Sequence, residues 1–161
     1  GIRLVLVGAG IEWEEAAAQV DDPRFESRLH CIPKLPFEDL RELTASADVG
    51  LSLDKGGHGN YEMSLPNKLF DFMHAGLPMV VTARKQVAEV VQTHRLGEVV
   101  EIADPDSLKR AVDTVLSVSR DVWRSRAMAA RDVHHWDVDA PKLLATLEDC
   151  LKAHLAGNQT A

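Results

Sequence analysis

The sequence predicts an α/β fold in which a doubly wound parallel sheet carries helices on both faces, with further helices trailing at the carboxyl end. Three observations predict it. Short apolar runs alternate with stretches whose apolar residues recur at i, i+3 and i+4, and strand-helix alternation of this kind builds parallel sheets. Leu4-Val5-Leu6-Val7 and Met79-Val80-Val81 are continuously apolar, as strands covered on both sides must be. After about residue 117 the strand-like runs cease and only helical spacing remains.

The elements follow in order. A strand over 3–7 runs into Gly8-Ala9-Gly10 and a helix over 13–20. A strand over 28–32 leads through a proline turn to a helix over 37–47, and a strand over 48–53 leads through a glycine-rich loop to a helix over 66–75. Ser64 suits the cap of that helix and Pro66 its first turn, while Gly76 and Pro78 stop it. Strands over 78–82 and 98–102 alternate with helices over 85–93 and 105–118. Asp104 and Asp106 open the last of these, where negative charge suits the helix dipole. Two helices, 120–134 and 141–155, are joined by His135, Trp136 and Asp137. Trp13, Trp123 and Trp136 read as packing anchors, and Cys31 as an inert thiol in a buried strand. The set is Rossmann-like, with residues 1–156 as one domain and 157–161 as a disordered tail.

Composition narrows the function. The chain has 161 residues, 45% of them hydrophobic and 27% charged, enough apolar material for one core. Its net charge of 18 − 25 = −7 argues against a nucleic-acid partner, which needs a surplus of Lys and Arg. Cys31 and Cys150 make no disulfide framework, and no Cys/His cluster has metal-ligand spacing, so a reducing, cytoplasmic setting with no metal is expected. The apolar stretches 4–11 and 77–81 are too short to span a bilayer, and no signal-peptide pattern precedes them.

In open α/β sheets ligands bind beyond the carboxyl ends of the strands. Gly8 and Gly10 stand at such an end, but the third glycine of a dinucleotide fingerprint would fall on Trp13. A tryptophan there opposes the close helix-strand packing that the third glycine serves, so the turn reads as structural. The loop after the third strand is richer. Gly56, Gly57, Gly59 and Asn60 free the backbone to approach a ligand, and the helix that follows offers unpaired N–H groups to an anion, with Lys68 beside them. Asn67, Asp71 and His74 fall at i, i+4 and i+7 of that helix, opposite Leu69, Phe72 and Met73. Two readings stand: a solvated polar stripe, or a site where Asp71 accepts hydrogen bonds from a ribose diol while a pyrophosphate lies at the helix start.

The stretch 64–81, Ser-Leu-Pro-Asn-Lys-Leu-Phe-Asp-Phe-Met-His-Ala-Gly-Leu-Pro-Met-Val-Val, resembles the donor-binding segment of retaining, nucleotide-sugar-dependent glycosyltransferases of GT-B architecture, group 1 above all. Carboxyl-terminal domains of that family typically read SLPNKLFEYLAAGLPVV here. Residues 29–40 and 45–50 resemble its strand, proline turn, short helix and next strand, and 87–91, Gly97 and 104–108 its later series. Trp136 falls where the family has a tryptophan before its last helix.

The resemblance implies that Asp71 holds the donor ribose. It also implies that Ser64, Leu65, Pro66, Asn67 and Lys68 cradle the pyrophosphate, and that Gly56, Gly57, Gly59 and Asn60 lie near the sugar. Lys34 and Leu35 then meet the nucleobase, and Gly8 and Gly10 line the cleft. No cofactor is implied, because the nucleotide sugar is a substrate, and the resemblance implies transfer with retention and without metal. The chain departs from the family at Met63, where a sugar-binding glutamate usually stands; either this is a subgroup lacking it or Glu62 substitutes. The family's first strand-helix unit, with an Arg and a Lys on the phosphates, has no counterpart here, nor has the amino-terminal domain that binds acceptor. The resemblance thus implies the donor-binding half of a longer enzyme, prone to self-association at an uncovered edge, with membrane association of the full-length enzyme left open. A stand-alone nucleotide or nucleotide-sugar binding module without catalysis is the alternative reading.

Overall fold

The structure, a computed structural model, describes residues 1–54, 63–101 and 104–158. Two compact units divide the chain, Gly1–Leu43 and Thr44–Ala161.

In the first unit β1 (Leu4–Gly8) pairs in parallel with β2 (Leu29–Pro33), in register from Leu4 opposite Leu29 to Gly8 opposite Pro33. Between them run α1 (Ile11–Ala17) and a 3-10 turn, Pro23–Phe25. Asp22 caps that turn, accepting from the Arg24 amide at 2.9 Å and from its guanidinium, which together lower the Asp22 pKa. Trp13 packs back on β1, its indole N–H donating to the Leu6 carbonyl at 3.4 Å. Helix α2 (Phe37–Ser46) crosses the boundary between the units. Cys31 is half-buried here, not buried as expected, because β1 and β2 pair only with each other among the described residues.

The second unit is built on three parallel strands, β3 (Gly50–Ser52), β4 (Met79–Thr82) and β5 (Gly97–Val100), in the order 3-4-5. Every residue of the central strand is buried. Its side chains alternate between two cores. Met79 and Val81 pack with Leu69 and Met73 of α3 (Asn67–His74), with Val87, Val90 and Val91 of α4 (Lys85–His94), and with Ala127 and Ala130 of α6 (Arg120–Arg131). Val80 packs on the other side with Ala111 and Val115 of α5 (Pro105–Ser117) and with Trp123 of α6. Helices therefore cover both faces, as a continuously apolar strand requires. Trp123 is the anchor expected of it, buried and donating to the Val115 carbonyl at 3.1 Å. Asp104 caps α5, and its pKa is lowered first by the Ser107 hydroxyl donating to the carboxylate and then by the amides of Ser107 and Asp106.

Close approach of α3 to β3 depends on Gly50. A Cβ there would stand 2.5 Å from the Phe72 ring, so only a residue without one lets the helix lie this near the strand.

Three expectations at helix starts are corrected, the first at α1, which begins at Ile11 rather than at 13. Pro66 is the N-cap of α3 rather than a first-turn residue, with φ −70° and ψ 146°, the extended geometry proline favours. The final helix, α7 (Trp136–Asn158), begins at Trp136 and contains Pro141, whereas the sequence pattern predicts a start at 141. Its first turn is closed by the His135 carbonyl accepting the amides of Val138 and Asp139. Proline inside a helix lacks the amide donor and crowds the carbonyl four residues back, yet the helix runs through Pro141. Trp136 is 68% exposed and anchors nothing among the described residues, because α7 presents it to solvent together with Leu143, Leu144, Leu147 and Leu151. The last three residues lie outside those described.

The end of α4 is tied to the segment after α6 by His94 and His134, whose Nε2 atoms are 2.9 Å apart with rings edge to face. Burial, then the charge of His94, lowers the His134 pKa, with Lys142 adding to them and Asp139 opposing. The unfolded chain therefore binds a proton at His134 before the folded chain does. Stability from this contact is complete above the ordinary histidine value near 6.5 and declines as pH falls through the lowered folded value. Urea midpoints should accordingly drop more between pH 7.5 and pH 5.5 for the natural chain than for His134→Gln; equal drops would exclude the contact as the cause.

Candidate functional site

Parallel strands bring their carboxyl ends to one edge of a sheet, and the loops that follow meet there. In the first unit, Gly8 ends β1 opposite Pro33 at the end of β2. Gly10 follows with φ +112° and opens α1, while Lys34, exposed, and Leu35, half-buried, follow Pro33. Gly8, Gly10, Lys34 and Leu35 thus share one edge of this strand pair.

In the second unit β3 ends at Ser52 and β4 at Thr82, on neighbouring strands. Asp54 lies just past the end of β3 and gathers contacts from three directions. Ser52 Oγ donates to its Oδ2 at 2.9 Å, and Lys68 Nζ, from the first turn of α3, donates to its Oδ1 at 2.9 Å. The Asp54 carbonyl accepts Thr82 Oγ1 at 3.0 Å and Arg84 Nη2 at 3.0 Å. Burial alone would raise the Asp54 pKa, but the bonds from Lys68 and Ser52, with the charges of Lys68 and Arg84, outweigh it and hold the carboxyl below its ordinary value. Asp54 is therefore ionised at neutral pH.

Helix α3 starts beside this cluster. Pro66 offers no side-chain cap, and the first amides of any helix lack intrahelical acceptors. Ser64, Leu65 and Asn67 are exposed, and Pro66 and Lys68 half-buried. Asp71 and His74 are exposed one and two turns along, while Leu69 and Met73 face the core. The helix start and the Lys68 ammonium favour an anion. A carboxylate on the same exposed side favours hydroxyl donors. Ser64, Leu65, Pro66, Asn67, Lys68 and Asp71 are thus brought together at one edge of the sheet. Gly56, Gly57, Gly59, Asn60 and Glu62 lie outside the described residues.

Sequence reasoning missed Ser52, Thr82 and Arg84, and passed over Asp54 as part of a loop. A faint signal exists, since Ser52 interrupts an apolar run and Arg84 follows a fully buried strand by two residues. Partners 28 and 30 residues apart, however, are not legible in a local pattern. Among the described residues no helix is long and apolar enough to cross a membrane.

Comparison with known proteins adds a family and a fold. The family described as "Glycosyl transferases group 1" matches residues 1–118. AviGT4, a glycosyltransferase involved in avilamycin A biosynthesis, is 26% identical over 80% of this chain, with a TM-score of 0.62. WaaG, a glycosyltransferase involved in lipopolysaccharide biosynthesis, shares the fold over 90% of this chain at 22% identity, with a TM-score of 0.63. No curated protein matches the chain. The chain spans 37% of the length of AviGT4 and 37% of that of WaaG.

Proposed function

Because the chain belongs to the group 1 glycosyl transferases, we propose that it binds the nucleotide diphosphate sugar from which a larger enzyme transfers a hexose, with retention and without metal. The observation that carries this reading is the start of α3 at the carboxyl edge of a parallel sheet, with Lys68 beside its amides and Asp71 on its exposed side. Donor phosphates lie at the amides of residues 64–68 and the Lys68 ammonium, and the Asp71 carboxylate accepts from the ribose hydroxyls. As the leaving diphosphate gains charge, fixed N–H dipoles and a cation lower the barrier without reorganising. Gly8, Gly10, Lys34 and Leu35 stand at the carboxyl edge of the first unit's own strand pair. Acceptor binding falls to residues beyond this chain, so the chain by itself binds donor without transferring sugar, in a cytoplasmic setting.

Calorimetric titration with UDP, GDP and ADP tests the reading: at least one should bind, and NAD should not. Binding of NAD alone would overturn it. Asp71→Ala should weaken the corresponding nucleoside about tenfold, the worth of a charge-assisted hydrogen bond. Unchanged nucleoside affinity would make Asp71 a solvated surface residue.

A further inference from the structure

Burying a polar side chain costs free energy unless its hydrogen bonds are made. Among the described residues the buried polar side chains are Ser52, Thr82 and Arg84, at 1%, 6% and 7% exposure. All three donate to the same residue, Asp54. Thr82 and Arg84, the latter through Nη2 at 3.0 Å and Nε at 3.3 Å, hold its carbonyl, and Ser52 holds one carboxylate oxygen. With main chain and side chain both held, the other oxygen, Oδ1, stands at a defined point and takes Lys68 Nζ at 2.9 Å.

That arrangement has a consequence for Lys68. A lysine ammonium rides on a flexible four-carbon stem and loses rotamer freedom when it must stay in one place. A held carboxylate at its tip supplies that place, and an ammonium with three N–H donors keeps two for another acceptor. We infer that Thr82 and Arg84 are positioning residues which, through Asp54, set where the Lys68 ammonium stands at the amino end of α3. That this ammonium then meets a donor diphosphate rests on the reading given under Proposed function; the positioning itself does not.

Point charges and positioning predict opposite signs for Asp54. Removing a carboxylate near an anion site favours the anion by simple Coulomb attraction. If Asp54 positions Lys68, its removal instead weakens the diphosphate and leaves the nucleoside unaffected.

Amine acetylation read by mass spectrometry tests the network without any nucleotide, with Lys152 as internal reference. Thr82→Val keeps the shape and loses the hydroxyl, and Arg84→Met loses the guanidinium. Each should raise Lys68 labelling about two- to fivefold, the ratio that corresponds to a partly exposed ion pair. Arg84→Lys should restore part of the protection. Should Arg84→Met fail to fold, Thr82→Val decides. Unchanged Lys68 labelling in the folded variants overturns the network. Calorimetry with UDP, GDP and ADP then examines the consequence for the ligand. Asp54→Asn should weaken the diphosphate that binds by a similar factor with the matching nucleoside unchanged, and a strengthened diphosphate overturns the positioning role. If the natural chain binds none of the three while labelling responds as expected, the donor reading fails and the network stands.

Discussion

Replacing Gly97 with alanine is expected to lower the unfolding free energy by about 3 kcal/mol or more, among the largest losses a single methyl can cause. Gly97 opens β5 and pairs with Met79 at the first position of the β4–β5 ladder. A Cβ at Gly97 would lie 1.7 Å from the Met79 carbonyl oxygen and within 2.8 Å of the Met79 carbonyl carbon and amide nitrogen. These are backbone atoms of the buried central strand, so no rotamer change relieves the contact. The Met79 amide already donates to the Leu96 carbonyl at 3.0 Å, which fixes the approach of the two chains. Relief must come from moving β5, and with it the packing of α4 and α5 on either face. Urea denaturation followed by circular dichroism gives the answer. A Gly97→Ala chain with an unchanged midpoint would show that the two strands do not approach this closely.

Leu69→Ala is expected to cost about 2–5 kcal/mol, the range for a large-to-small change in a closed core. Leu69 is fully buried and packs among Met73, Met79, Val81, Val87 and Val91. Surrounding side chains on α4, α6 and β4 hold the space open, so a cavity persists rather than collapsing. The same residue sits between Lys68 and Asp71 on α3, and its packing aims both at the sheet edge. Nucleotide affinity should therefore fall with stability, although Leu69 faces away from the site. Leu147→Ala supplies the contrast: at 51% exposure on α7 it should change stability by no more than about 0.5 kcal/mol. Equal losses at both positions would mean that α7 is packed in solution rather than exposed.

Much of the architecture was legible in the sequence because its signals are local. The alternation of short apolar runs with helical spacing marked five strands and most helices, and the unbroken apolarity of Met79-Val80-Val81 marked the strand that lies central and buried. Cap chemistry at Asp104 and the stop at Gly76 and Pro78 carried through, with α3 ending at His74 and Gly76 at φ +67°. Local rules misplaced three helix starts, that of α1 among them. Pro66 serves as a cap and Pro141 is carried inside α7. Trp136 read as an anchor because tryptophan usually is one; its exposure follows from the face of α7 on which it falls, which its own neighbours in sequence do not reveal.

For the candidate site the division is similar. The residues at the start of α3 form a contiguous motif, so the sequence alone names Ser64 to Lys68 and Asp71 as candidates and carries the resemblance to the family that matches. Asp54, Thr82 and Arg84 are not among those candidates. Periodicity and capping act over a few residues, so the order of strands and helices, the buried strand and the polar side of α3 are written locally in the chain. Which polar groups meet at the strand ends depends on how the strands are packed. Parallel strands set side by side bring Ser52, Thr82 and Arg84 onto Asp54, and Asp54 onto Lys68, across separations in sequence that no local rule spans. Burial then makes those contacts obligatory, since a guanidinium and two hydroxyls inside a core must find acceptors.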